Sequence, residues 1–250
     1  MDVACSTFCF EDEPLDQALR RIAELEFTRV DLGVAADGAH MRPSDLVADL
    51  SGVLGRIRQG PTVSVAAVTL RMGPGDDESA CVDAAAHLAK QMATALVTVE
   101  PSHQDLAAEV ERLGALQRVC SRHGVVLSVL TKQGTVTSTP AGAMALCAKV
   151  PGIGLSLDPS HLLVSGSEAD DWEPLYPMVR HVYLRDTSNV HGQFQTPVGR
   201  GEIDYSKVVS ALQRSQYRGA LVVDFEQRFG GDVEPALEAR KLGRVLESLL

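Results

Sequence analysis

Short apolar runs alternate with amphipathic stretches from one end of the chain to the other. The first run, VACSTFCF at 3–10, precedes a stretch at 14–26 in which Leu15, Ala18, Leu19, Ile22, Ala23 and Leu25 recur at the spacing of one helix face. RVDLGV at 29–34 precedes a helix predicted near 43–58. VSVAAVTL at 63–70 precedes an Ala-rich helix near 77–93, and ALVTVE at 95–100 leads to a long helix near 104–123. VVLSVLT at 125–131 precedes a helix near 139–149, and GIGLSLD at 152–158 a short helix near 172–179. HVYLRD at 181–186 precedes a helix at 204–217, and ALVVDFE at 220–226 precedes the closing helix at 233–249.

These are eight strand–helix units. Such alternation predicts a parallel sheet covered by helices. Eight units in 250 residues predict a single (β/α)8 TIM barrel spanning residues 1–250 rather than an open sheet. Two connections are long: 159–171 after strand six, and 187–203 after strand seven, which contains Gly192, Pro197, Gly199 and Gly201. Both leave the C-terminal ends of strands, where barrel enzymes build their sites.

Side chains alternate along a strand, so each strand end presents one parity to the barrel axis. Asp158 shares a face with Ser156 and Gly154, Asp224 with Glu226, Glu100 with Thr98, and Arg185 with Tyr183 and His181. Polar groups at these positions converge on the barrel mouth and predict a pocket there. The net charge of -10, with no basic stripe, argues against a polymeric nucleic acid as partner, without forbidding a local basic pocket for a small phosphate. The five cysteines are scattered and form no CxxC pair, so neither a zinc knuckle nor a disulfide framework is expected. Free thiols, a start (MDVACSTFCFEDE) unlike a signal peptide and the lack of any apolar run of about 18 residues predict a cytoplasmic protein with no membrane span.

Three segments carry a resemblance. LSLDPSHLLVSG at 155–166 is similar to an apolar strand six ending in Asp-Pro-x-His. HVYLRDTS at 181–188 is similar to a strand seven reading His-x-His-Leu-Lys-Asp. PVGRGEIDYSKVVSALQRSQYRGALVVDFE at 197–226 resembles Gly-x-Gly-x-Ile-Asp, a helix, Tyr-x-Gly and a last strand ending in an acid. Together they resemble the xylose-isomerase-like TIM barrels, a family of sugar isomerases, epimerases and related metal enzymes. The resemblance covers most of the chain and is strongest from about 120 to 230.

It implies a divalent ion (Mn, Mg, Co or Zn), no organic cofactor, and a carbohydrate-like small-molecule substrate. It also implies a homo-oligomer, since family members are often dimers or tetramers. The usual ligands are a Glu ending strand five, an Asp ending strand six, a His on strand seven and a Glu ending strand eight. Those positions fall on Leu130, Asp158, Tyr183 and Asp224. A second His, which commonly contacts substrate, falls on His161. Leu cannot ligate a metal, and a neutral phenol with a pKa near about 10 is a poor ligand. Two readings stay open: a shifted acidic metal site made by Glu100, Asp158, His161 and Asp224, and a metal-free pocket in which Tyr183, His161 and the acids transfer protons.

The expected reaction is isomerisation or epimerisation of a sugar or sugar derivative by proton abstraction next to a carbonyl, with Asp158, His161, Tyr183 and Asp224 as the catalytic set. Glu100, His103, Arg185, His191, Arg200 and Glu226 are candidate substrate contacts. The alternatives are a non-catalytic small-molecule-binding descendant and a metal-independent lyase or hydrolase on the same barrel. Lys132 is a weaker candidate for a Schiff base, and GRG at 199–201 for a phosphate contact. A DNA-repair endonuclease of the same superfamily needs several His ligands and a basic groove. Gln193 and Gln195 stand where its strand-seven loop supplies an Asp and a His.

Overall fold

A computed structural model describes residues 1–38, 40–189, 194–229 and 233–250. The apolar runs form eight parallel strands: β1 (Asp2–Ser6), β2 (Arg29–Ala35), β3 (Ser64–Arg71), β4 (Leu96–Val99), β5 (Val126–Leu130), β6 (Gly154–Leu157), β7 (Val179–Leu184) and β8 (Ala220–Val223). They close in chain order, with Ala4 of β1 paired to Val222 of β8. The helices between and after them are α1 (Leu15–Glu24), α2 (Pro43–Ala48), α3 (Leu50–Gln59), α4 (Glu78–Gln91), α5 (Leu106–Arg122), α6 (Pro140–Lys149), α7 (Pro159–Val164), α8 (Tyr205–Arg214) and α9 (Pro235–Glu247).

Local chemistry sets the helix starts. The carboxylates of Asp77, Asp105 and Asp204 accept from backbone N–H groups three residues on, capping α4, α5 and α8. Pro140, Pro159 and Pro235 take the first position of α6, α7 and α9, where a missing N–H costs nothing.

The elements depart from the periodicity in four places. The run at 3–10 stops being a strand at Ser6, whose hydroxyl accepts from Phe8 N–H and opens a 3-10 turn over Thr7–Phe10. The helix expected at 43–58 breaks at Asp49, which caps a second helix through Gly52 N–H at 2.8 Å. The connection at 159–171 begins with α7. The short helix near 172–179 is a 3-10 helix over Ala169–Met178, because Pro174 and Pro177 remove the donors an α-helix needs.

The main core lies between strands and helices, with Leu19, Ile22, Leu32, Leu70, Leu88, Leu113, Leu127 and Leu155 fully buried. A small second cluster of Ala4, Ala66, Leu130, Tyr183, Ala220 and Val222 fills part of the barrel interior. Beside it the axis is polar: the hydroxyls of Thr98, Ser128 and Ser156 form a triangle with edges of 3.0, 3.1 and 2.7 Å. All five cysteines are free thiols. Among the described residues no helix is long and apolar enough to cross a membrane.

Gly33 on β2 lets the mouth pack. A methyl group there would lie 2.4 Å from the Phe8 ring, and that ring supports the Arg71 guanidinium 3.4 Å from its centroid. Gly33→Ala is expected to lower stability by about 1–3 kcal/mol through overpacking. Urea unfolding measures this, and an unchanged midpoint would show that the ring yields freely.

Candidate active site

Strands β2, β3 and β7 place four polar groups in the barrel interior as one network. Asp31 Oδ2 accepts from Tyr183 Oη at 2.9 Å and lies 2.5 Å from His181 Nε2. Asp31 Oδ1 accepts from Thr69 Oγ1 at 2.7 Å, and Thr69 in turn meets the Tyr183 hydroxyl at 2.5 Å. Burial, then the Asp31 charge, push the Tyr183 phenol well above its ordinary pKa. Tyr183 is therefore a fully engaged phenol at neutral pH.

Above this network, three carboxylates from two strand ends meet one guanidinium. Arg185 Nη2 donates to Asp158 Oδ2 at 3.0 Å and to Asp224 Oδ2 at 2.5 Å, and Arg185 Nη1 donates to Glu226 Oε1 at 3.4 Å. Glu226 also pairs with Arg71, and with Arg228 Nε at 2.7 Å. Arg71 holds Glu11 at 3.0 Å, and Glu100 pairs with Lys132. The rings of Phe194 and Phe229 lie 5.3 and 5.0 Å from the Arg185 guanidinium carbon, within cation–π range. Gln195 clamps the Glu226 backbone, accepting from its N–H at 2.9 Å and donating to its carbonyl at 3.2 Å.

These surroundings separate the titrating groups. Burial, then the Glu226 charge, push the Asp224 carboxyl up to about 8 despite Arg185 and Arg71. Burial also opposes the Glu226 charge, but Arg71, Arg185 and Arg228 outweigh it and hold that carboxyl down at about 2. Burial drives His161 down to about 4, so its imidazole is neutral at pH 7. Three buried atoms here have no hydrogen-bond partner: Asp224 Oδ1, His161 Nδ1 and Arg185 Nε.

Of the sequence candidates, Glu100, His161, Tyr183, Arg185, Asp224 and Glu226 line one cavity at the mouth, and Asp158 joins them through Arg185. The cavity measures about 20 Å3, room for about one water. His103 is exposed, its backbone N–H donating to Glu109 at 3.1 Å, and does not line this cavity. Arg200 is exposed on its loop. His191 and Gln193 lie outside the described residues. The N–H groups of Gly199 and Gly201 donate to Asp186 Oδ2 at 2.7 and 3.0 Å, so this glycine pair clasps its own strand end rather than offering those donors to a phosphate.

Basic side chains engage three members of the shifted acidic set. Glu100 is committed to Lys132, while Asp158 and Asp224 share the Arg185 nitrogen. Among the described residues no three His, Cys, Asp or Glu side chains are grouped to hold an ion. Sequence reasoning missed Asp31, Arg71, Glu11, Phe8 and Phe229. Arg71 and Asp31 carried a signal, as charged residues at inward positions of apolar strands.

A family model described as the xylose isomerase-like TIM barrel matches residues 16–249. The chain is 28% identical over 170 residues to an inosose dehydratase of Bacillus anthracis, a match covering 58% of this chain and 55% of that protein. It thus spans about half the length of that curated relative. A D-tagatose 3-epimerase-like protein superposes with a TM-score of 0.77 at 17% identity, covering 100% of this chain and 98% of the other. A xylose isomerase-like TIM barrel protein from Mycobacterium smegmatis, in complex with magnesium, gives 0.78 at 18% identity, with coverage of 100% and 97%. At these identities the structural likeness is one of fold.

The Asp224 shift has a definite sign. Its pKa is raised in the folded state, so the stabilisation is full below about 4, the unfolded value, and is lost as pH rises through about 8. Between pH 6.5 and 8 the cost is about 2 kcal/mol, or a Tm fall of about 5 °C for a chain of this size. Asp224→Asn is expected to flatten that slope in melting curves recorded across the window. An equal slope in both proteins would place the titration elsewhere.

Proposed function

We propose a function for a chain that belongs to the xylose isomerase-like TIM barrel family: proton transfer at the carbon next to the carbonyl of a sugar or polyol-derived compound, with Asp224 as base. The observation that carries this reading is the setting of that carboxyl. It is buried, Arg185 holds its Oδ2, and its Oδ1 has no partner. Its pKa of about 8 puts ionisation close to neutral pH, where a general base works best.

In the proposed step Asp224 Oδ1 takes the proton from the carbon beside the carbonyl. The C–H electron pair forms a C–C double bond, and negative charge moves to the carbonyl oxygen. The Arg185 charge stabilises the developing oxyanion electrostatically. His161, a neutral imidazole with Nδ1 unpartnered in the same cavity, supplies a hydrogen bond to that oxygen. Protonation of the same carbon from the other face by a second acid, with the Asp224 proton passing to solvent, gives an epimer. Return of the proton to the former carbonyl carbon, with a proton moved between the oxygens, gives an isomer.

A dehydration shares the first step and is the second reading, favoured by the match to inosose dehydratases. There the same electron pair expels a hydroxyl on the next carbon, which leaves with a proton as water. Arg71, Arg185, Arg228 and Lys132 each already face a carboxylate, so uncharged compounds suit this mouth better than phosphorylated ones.

Incubation in D2O with a panel of ketoses, aldoses and inososes, followed by proton NMR, tests the reading. Wild type is expected to exchange the proton beside the carbonyl of one class. Asp224→Asn should lose about 100- to 10,000-fold of that rate. A compound that raises Tm without any exchange or turnover would make the chain a binding protein instead.

A further inference from the structure

We infer that Arg185 is the resident cation of the mouth, occupying with its guanidinium the place among Asp158, Asp224 and Glu226 that a divalent ion would otherwise take. The inference holds whatever carbonyl compound the mouth accepts. Inward carboxylates converging at a barrel mouth are oxygen donors of the kind hard divalent ions select. Here one nitrogen, Arg185 Nη2, bridges Asp158 Oδ2 and Asp224 Oδ2 at 3.0 and 2.5 Å, and the other terminal nitrogen reaches Glu226. The side chains of Arg185, Asp158, Asp224 and Glu226 are all buried.

Two further observations fit a planar organic cation better than an ion. Flanking positions provide no ligand: Leu130 is a hydrocarbon, and the Tyr183 hydroxyl is committed to Asp31 and Thr69. The cation is also covered by aromatic rings, Phe194 and Phe229, which stack with a guanidinium and offer a metal nothing. A delocalised, weakly hydrated guanidinium tolerates such cover, whereas an ion of the magnesium type keeps its waters.

The test strips the full-length protein with EDTA, then titrates Mn2+, Co2+ and Zn2+. Calorimetry, elemental analysis and melting curves are the readouts. Wild type is expected to retain only sub-stoichiometric metal after dialysis and to melt at the same temperature with metal or chelator. One equivalent of tightly held ion with a chelator-reversible Tm rise would overturn the inference. Arg185→Ala opens the place and is expected to gain Mn2+ affinity by at least about tenfold, equivalent to about 1.4 kcal/mol. A folded Arg185→Ala with wild-type indifference to Mn2+ would show that the guanidinium displaces nothing. If that variant is unfolded without metal, Mn2+ should restore its folding, and failure to do so equally overturns the inference.

Discussion

Charge removed from water must be neutralised on the spot, and the mouth of this barrel is arranged around that constraint. An isolated buried carboxylate is so costly that it either finds a cation or gives up its charge. Both outcomes are present within one cluster. Glu226, shared by Arg71, Arg185 and Arg228, keeps its charge, whereas Asp224, two residues earlier and holding one guanidinium through one oxygen, is pushed toward the neutral acid. Two carboxyls on one strand end thus have their pKa values pushed in opposite directions by their surroundings alone. The strand order brings this about, because both acids follow the end of β8, Arg185 follows the end of the neighbouring β7, and Arg71 reaches in from β3.

Beneath the charged rim the barrel spends little apolar material on its axis. A small hydrocarbon cluster shares the interior with the three hydroxyls and with Asp31, His181, Thr69 and Tyr183. Each polar group there has a partner within the network, which is the condition under which buried polar groups are tolerated. Tyr183 joins the two layers. Its ring belongs to the hydrocarbon cluster and its hydroxyl to the Asp31 network, so it reads as a fixed donor beneath the cavity.

The barrel itself was readable because its units repeat and each carries its own periodicity. The breaks came from single residues: Asp49 stopping one helix to cap another, and Pro174 and Pro177 forcing a 3-10 helix. Strand parity also found the inward set Glu100, Tyr183, Arg185, Asp224 and Glu226. What parity does not carry is pairing. A salt bridge from Glu226 to Arg185 or Arg228 is an expectation that both pairs meet, but the Asp158 and Asp224 contacts that make Arg185 more than a substrate contact have no such sign in the sequence. Phe8, with Glu11 just after it, arrives from one 3-10 turn and Phe229 from another, where no strand period marks direction. The Gly199–Gly201 pair invited an anion, and the anion it holds is the neighbouring Asp186.

Glu226 ties three arginines from three parts of the chain to one carboxylate, with Gln195 clamping its backbone from the strand-seven loop. The space beneath is one water wide. Parting any one of these pairs leaves buried charge less well compensated in the others, so the side chains of the mouth are energetically coupled. A substitution at any one of them is therefore felt across the whole latch, and the effects of changing two of them together should not sum.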